Sequence, residues 1–325
     1  MDLSIVVPVY NEVENIPLLH KAIHQALDEA LPQSQWELVF VDDGSTDGST
    51  QILIDIADSD PQYTRVIVLR RNFGQTAAIA AGIDYSAGAI IVLMDADLQN
   101  DPADIPMMLA KINQGYDLVS GWRKDRKDKF FTRILPSRIA NSLISAVTGV
   151  HLHDYGCTLK AYRREIITDF RLYGEMHRFI PAYAHTVGAS MIEVPVQHHP
   201  RRFGRTKYGL ARTLKIILDL FTVKFLISYA NKPIYLFGGT GIFLFVISAL
   251  MLAFLFVRRV WLKISVFDSP FFQMSTMFII LGVQSILMGL IAELLVRTYH
   301  ESQHKPIYSI KRVVNPPPEA SDQDA

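Results

Sequence analysis

The sequence predicts an α/β protein: a mostly parallel β-sheet covered by helices, followed by two membrane-length helices. Three observations carry this. Strand-like apolar runs alternate with helical patterns through about the first two hundred residues, as they do when helices cover both faces of a parallel sheet. Two stretches without a charged residue follow, residues 234–257 and 270–292. At about 1.5 Å per residue, each passes the roughly 30 Å hydrocarbon core of a bilayer. Finally, polar or acidic clusters stand directly after three of the strand-like runs, and ligands of open α/β sheets bind at the carboxyl ends of strands.

Residues 3–9 read as the first strand, since no basic segment precedes the apolar run and no small-residue cleavage pattern follows it. Further strands are expected at residues 37–41, 64–69, 89–94 and 117–120, with helices at 13–30, 50–58, 76–86 and 102–114. The clusters after the strands are Tyr10-Asn11-Glu12, Asp42-Asp43 and Asp95-Ala96-Asp97. A parallel sheet sets all three on one edge. Some of these residues also suit purely local roles. Asn11 can cap the helix that follows. Asp42 and Asp47 lie in a run rich in turn formers, Asp42-Asp43-Gly44-Ser45-Thr46-Asp47-Gly48.

Asp95-Ala96-Asp97, with Gln99 beyond, ends the apolar run of residues 89–94. Carboxylates at the end of a core strand are costly unless something pairs with them. Two of them with a carboxamide make a hard-oxygen site suited to Mg²⁺ or Mn²⁺, a metal usually shared with a substrate's phosphates.

The remaining chain points to a membrane. Residues 121–138 carry Arg123, Lys124, Arg126, Lys127, Lys129, Arg133 and Arg138 around Phe130-Phe131, which suits a solvated loop or a lipid headgroup zone. Residues 210–229 mix Arg212, Lys215, Asp219 and Lys224 into an apolar background, the pattern of an interfacial amphipathic helix. Two spans, at about 234–257 and 270–294, form a hairpin that returns the chain to its starting side. The connection holds Arg258, Arg259 and Lys263, against Lys215, Lys224, Lys232, Arg297, Lys305, Lys311 and Arg312 opposite. The excess places the large domain and the tail in the cytoplasm. Expected boundaries are 1–208 for the sheet domain, 209–232 for interfacial helices, 233–298 for the spans and 299–325 for the tail. In the tail, residues 307–314 read as a short strand able to pair with another subunit, hence a homo-oligomer, and the end reads as disordered.

Composition excludes some classes. A formal net charge of +0 gives no field selecting nucleic acid. A single cysteine, Cys157, leaves no intramolecular disulfide and no thiolate zinc cluster; it reads as a small buried residue. His151, His153, His198 and His199 match no standard metal-ligand spacing.

Pro8-Val9-Tyr10-Asn11-Glu12, Val41-Asp42-Asp43-Gly44-Ser45-Thr46-Asp47 and Asp95-Ala96-Asp97-Leu98-Gln99 resemble family 2 glycosyltransferases of the GT-A fold. Arg71-Asn72-Phe73-Gly74-Gln75, Asp154-Tyr155-Gly156-Cys157 and residues 201–208 are similar to the polyprenyl-phosphate branch, which includes dolichyl-phosphate mannose synthases and bacterial polyisoprenyl-phosphate glucosyltransferases. The resemblance covers the chain to about its last twenty residues. It implies that Pro8, Tyr10, Glu12, Asp43 and Asp95 bind the nucleotide, and that Asp95, Asp97 and Gln99 hold Mg²⁺ or Mn²⁺. It implies that Arg123, Arg133, Arg201 and Arg202 meet the acceptor phosphate. The implied catalytic residues are Asp97, Asp154, Arg123, Arg201 and Lys207, with Arg201 and Lys207 on a loop closing over the donor. Thr206 stands where a serine is usual, and the Gln-x-x-Arg-Trp motif of processive synthases is absent.

The implied reaction is metal-dependent, inverting transfer of one sugar, UDP-glucose preferred as donor, to polyprenyl phosphate in a bacterial-type plasma membrane. GDP-mannose or a modified arabinose donor is the alternative within the class. A non-catalytic nucleotide-sugar-binding scaffold is the alternative outside it, but a scaffold has no need of a metal site. Asp154 matches a general base. A phosphate monoester, however, has a second pKa of about 6 and is largely ionised at neutral pH, so positioning of acceptor or basic residues is the role expected of Asp154.

Overall fold

A computed structural model describes residues 1–32, 34–124, 141–142, 144–146, 148–168, 177, 179–200, 234–267, 269–302 and 307–316. The strands are β1 (Leu3–Val9), β2 (Trp36–Asp42), β3 (Thr64–Leu69), β4 (Ile90–Leu93), β5 (Leu118–Trp122), β6 (Lys160–Arg163), β7 (Met191–Pro195) and β8 (Ile310–Val314). The helices are α1 (Ile16–Ala30), α2 (Ser49–Ser59), α3 (Gln75–Asp84), α4 (Ile105–Asn113), α5 (Arg164–Thr168), α6 (Ile180–Thr186), α7 (Ile234–Leu262) and α8 (Pro270–Ser302). A 3₁₀ turn, Pro102–Asp104, leads into α4. The chain forms two compact units, Met1–Leu220 with Pro306–Ala325, and Phe221–Lys305.

The first unit holds one sheet in the order β7-β5-β6-β4-β1-β2-β3-β8. Strands β4, β1, β2 and β3 are parallel neighbours. They are Val- and Ile-rich because helices cover both of their faces. Helix α1 buries Ile16, Leu19, Ile23 and Leu27, a stripe at three- and four-residue spacing that packs on the sheet. Ile5, Phe40, Val92 and Val119 join them in one core with no exposed surface.

Of the departures from expectation, three concern the helix start and the sheet, the first local and the other two tertiary. Helix α1 begins at Ile16, not near residue 13, because Asn11 takes a φ of +54° and Glu12 starts a turn closed by its carbonyl accepting from the Asn15 amide at 2.9 Å. Strand β6 inserts antiparallel between β4 and β5, a placement that neighbouring-in-sequence reasoning does not supply. The tail strand β8 pairs antiparallel with β3 of its own chain, where the expected partner was another subunit. It covers the backbone groups that β3 would otherwise leave unpaired at the sheet edge.

In the second unit, α7 and α8 contain Phe237–Leu262 and Pro270–Ala292, each long and apolar enough to cross a membrane. Their contact face is built from small residues. A Cβ on Gly241 would stand 2.7 Å from the Gly282 carbonyl oxygen, so this pair permits close backbone approach. Ser248 Oγ donates to the Ser275 carbonyl at 2.9 Å, and Ser285 Oγ to the Phe237 carbonyl at 2.8 Å. Leu250, Phe254, Phe256 and Leu287 face outward and exposed, the reverse of a soluble core helix. Residues 210–229, expected to be interfacial, lie outside the described residues, as do residues 125–138 of the basic segment.

Candidate active site

The sheet brings the three polar clusters together. In register, Val9 pairs with Asp42 across β1–β2, and Val6 with Leu93 across β1–β4, so the loops after β4, β1 and β2 leave the same edge side by side. Strands β4 and β5 both run antiparallel to β6 and so run in one direction. Arg123, directly after β5, therefore arrives at that edge too. Pro8 is half-buried on β1, in register with Val41. Tyr10 and Glu12 stand in the turn after β1, both half-buried.

Hydrogen bonds clip the first two loops to each other. Asn11 accepts at Oδ1 from the Thr46 amide at 2.8 Å, and its own amide donates to Ser45 Oγ at 3.0 Å. Asp42 accepts from the Ser45 amide and the Thr50 hydroxyl. Asp47 accepts from Ser49 and from the Val13 amide. Burial pushes the Asp47 carboxyl up, but these hydrogen bonds outweigh it and hold the group below its ordinary value. Asp42 and Asp47 are thus turn-building residues. Gly44 between them has a φ of +71°, and a Cβ there would meet the Arg71 carbonyl carbon at 2.6 Å. Only glycine fits both demands.

Asp43 has a different role. It is buried, and its two oxygens accept from the amides of Phe73 at 2.7 Å and Gly74 at 3.0 Å. Burial raises its pKa, those two bonds offset part of the rise, and Asp42 adds to it. The bonds pull the segment after β3 across to β2. The next residue, Gln75, then donates from Nε2 to Asp95 Oδ1 at 2.7 Å. One short segment therefore links the carboxylate after β2, Asp43, to a carboxylate after β4, Asp95.

Asp97 is buried and accepts at Oδ1 from the Gln99 amide at 3.2 Å. Leu98 between them takes a φ of +58°, which turns the chain tightly around the acid. Asp95, Asp97 and the Gln99 carboxamide offer oxygen donors only, and that donor set fits a hard divalent cation.

Arg123 closes the cluster. Its Nε donates to Asp154 Oδ2 at 2.7 Å and its Nη2 to Asp154 Oδ1 at 2.9 Å. Both side chains are nearly buried, at 12% and 7% exposure. Burial alone would favour loss of the guanidinium proton; the Asp154 hydrogen bonds and charge, with Asp95 contributing, reverse this and raise the pKa. Asp154 is itself fixed by the Gly156 amide at 3.1 Å, while its own amide donates to Glu193 Oε1 at 3.0 Å. Neighbouring Cys157 is buried and its thiol is pushed up to about 11, so it is not a thiolate nucleophile.

Arg133, Arg201, Arg202 and Lys207 lie outside the described residues. The chain leading to residue 201 is anchored at the site: His198 bridges to Asn100, and the His199 amide donates to the Gln99 carbonyl at 2.9 Å. Sequence reasoning assigned no role to Gln75 or Glu193. Gln75 sat within a motif already singled out, which was the available signal. Glu193, about forty residues from its partner, had none.

Comparison with known proteins adds the family. The profile of glycosyl transferase family 2 matches residues 4–171. A dodecaprenyl-phosphate galacturonate synthase of Rhizobium johnstonii is 42% identical over 316 residues, covering 96% of this chain and 93% of that protein. An undecaprenyl-phosphate 4-deoxy-4-formamido-L-arabinose transferase of an Enterobacter species is 37% identical, covering 96% and 94%. Among solved structures, glucosyl-3-phosphoglycerate synthase of Mycobacterium tuberculosis with Mn²⁺ and UDP-glucose superposes with a TM-score of 0.52 at 16% identity, over 69% of this chain and 78% of that one. A Pyrobaculum calidifontis mannosyltransferase with GDP-mannose and Mn²⁺ gives 0.50 at 15% identity, over 94% and 81%. These two share the fold.

Proposed function

Because the chain belongs to glycosyl transferase family 2, we propose that it transfers one sugar from a nucleotide-diphosphate sugar to a polyprenyl phosphate at a membrane. The observation that carries this is the hydrogen-bonded sequence Asp43–Phe73/Gly74, then Gln75–Asp95, with Arg123–Asp154 beside it, in a chain with two membrane-length helices. Relatives covering nearly the whole chain are named for polyprenyl-phosphate sugars, which supports that acceptor class.

In this reading Pro8, Tyr10, Glu12 and Asp43 bind the base and ribose. Asp95, Asp97 and Gln99 would hold a divalent cation, Mg²⁺ or Mn²⁺, which would supply charge neutralisation for the departing nucleotide diphosphate. Arg123, kept charged and aimed by Asp154, meets the acceptor phosphate. That phosphate, with a second pKa of about 6, is already largely ionised, so it needs orientation and charge compensation more than a base. Its oxygen attacks the anomeric carbon in line with the leaving diphosphate, and one displacement inverts the configuration. Arg133, Arg201, Arg202 and Lys207 enter only as family-matching positions, the last three as a basic segment closing over the donor.

Among donors, galacturonate and modified arabinose have the support of the named relatives. UDP-glucose, preferred from resemblance alone, has none from them. The membrane is the plasma membrane of a bacterial-type cell, with the catalytic unit and tail on the cytoplasmic side.

The test supplies the purified protein with polyprenyl phosphate, Mg²⁺ or Mn²⁺, and labelled nucleotide sugars carrying galacturonate, 4-deoxy-4-formamido-arabinose, glucose or mannose. Label passes to the lipid phase with one donor and requires the lipid. Transfer that proceeds equally without polyprenyl phosphate would reject this acceptor.

A further inference from the structure

A second cluster lies at the opposite edge of the same sheet. His20 and His24 are four residues apart on α1, which sets both rings on one helix face. Asp60 directly follows α2. The Nε2 atoms of His20 and His24 stand 3.2 Å and 3.0 Å from the same oxygen, Asp60 Oδ2. Among the described residues these three form the one group of three or more His, Cys, Asp or Glu side chains whose ligand atoms lie within 4.8 Å of one another. Thr64 begins β3 and Trp36 begins β2, so the cluster sits at the amino ends of these strands, away from Asp43 and Asp95.

We propose that His20, His24 and Asp60 form a second metal site, one that takes a late first-row divalent ion, Zn²⁺ foremost, and clips α1 to the end of α2. Donor atoms at about 2.0–2.1 Å from a tetrahedral ion stand roughly 3.3–3.4 Å apart, close to the two separations found. His24 Nδ1 lies 3.3 Å from Asp28 Oδ2. In the tautomer that donates Nδ1–H to Asp28, the His24 Nε2 lone pair faces Asp60 Oδ2, and a cation is what two facing acceptors can share. A carboxylate behind a ligating histidine is the usual outer partner of such sites.

Without a cation the same oxygen is held by hydrogen bonds: Thr64 Oγ1 donates to Asp60 Oδ2 at 2.7 Å, and each Nε2 can donate to it when it carries the ring proton. The two rings are 4.6 Å apart, so two imidazolium charges would repel. The neutral imidazole is the metal-binding form. Trp36 and Tyr63 stack on each other and meet the His24 ring edge-on at 4.8 Å and 5.4 Å, fixing its orientation. Side-chain exposures of 21%, 22% and 18% leave an outer face open for water as a fourth ligand. Two imidazoles select zinc-like ions over Mg²⁺, which separates this site from the oxygen-only set at Asp95 and Asp97.

The experiment uses untagged full-length protein in detergent, stripped with a chelator, then given Zn²⁺ or Co²⁺ in excess Mg²⁺. One Zn²⁺ per chain should survive desalting in the wild type and in Asp97→Asn, and raise the melting temperature of both. The His20→Gln/His24→Gln double variant should lose both effects, and Asp28→Asn should bind zinc about tenfold more weakly. Co²⁺ should give the visible absorption of nitrogen-ligated cobalt in the wild type only. If the double variant does not fold, Asp60→Asn serves the same comparison. No retained zinc in the wild type, or retention unchanged by these substitutions, would overturn the site.

Discussion

Asp154 grips Arg123 with both carboxylate oxygens, at 2.7 Å and 2.9 Å, where both side chains are almost out of solvent. A carboxylate committed in this way orients a cation. It is poorly placed to take a proton from a substrate as well.

Asp154→Asn should therefore lower turnover about 10²-fold through lost positioning, with a loss of stability approaching the roughly 3–5 kcal/mol of a broken buried pair. The pH–rate profile decides between roles. The residual activity should keep the acid limb of the wild type, because the acceptor phosphate sets it. An acid limb that disappears in the variant would make Asp154 a general base.

Gln75 touches Asp95 through a 2.7 Å hydrogen bond. Gln75→Leu should leave the fold intact and raise the divalent ion concentration needed for half-maximal transfer by about 10–100-fold, as expected when an outer partner of a metal ligand is lost. A metal titration of label transfer checks this. An unchanged requirement would remove Gln75 from the site.

Gly44→Ala places a methyl group 2.6 Å from the Arg71 carbonyl carbon at a φ of +71°. The expected cost is about 1–3 kcal/mol, read as a lower denaturant midpoint. The loops after β2 and β3 should move apart, so nucleotide-sugar affinity should fall with stability.

Asp47 predicts a pH dependence. Its folded pKa lies below the ordinary 3.8 despite some burial, because Ser49 and Val13 hydrogen-bond the ionised form. A group with a depressed folded pKa contributes its stability above the unfolded value and loses it as pH falls through the folded one. The destabilisation caused by Asp47→Asn should be full at neutral pH and shrink below about pH 4. Melting curves of both proteins from pH 3 to 7 measure it.

The central strands were legible because β1, β2, β3 and β4 are apolar runs punctuated by polar clusters, and the parallel pattern alone put those clusters on one edge. Strand β6 was not: Lys160-Ala161-Tyr162-Arg163 has little apolar signal, and its burial comes from the neighbours it lies between. The partner of β8 depended on which sheet edge lay uncovered, a tertiary fact. At the site, the acid pair and Asp43 were readable as residue types after strands. Their wiring through Gln75 was not, because it depends on how Asp43 folds the segment after β3. His20 and His24 carried a readable signal in their four-residue spacing, but the third ligand, Asp60, is supplied by a different helix end.

The most direct test of the account measures label transfer to polyprenyl phosphate by wild type and Asp97→Asn across a divalent ion titration after chelation. The wild type should show no transfer without a divalent ion and recover with Mg²⁺ or Mn²⁺, while Asp97→Asn should lose about 10²-fold or more at every ion concentration, with an unchanged melting temperature. Transfer by the chelated wild type, or by Asp97→Asn at the wild-type rate, would contradict it.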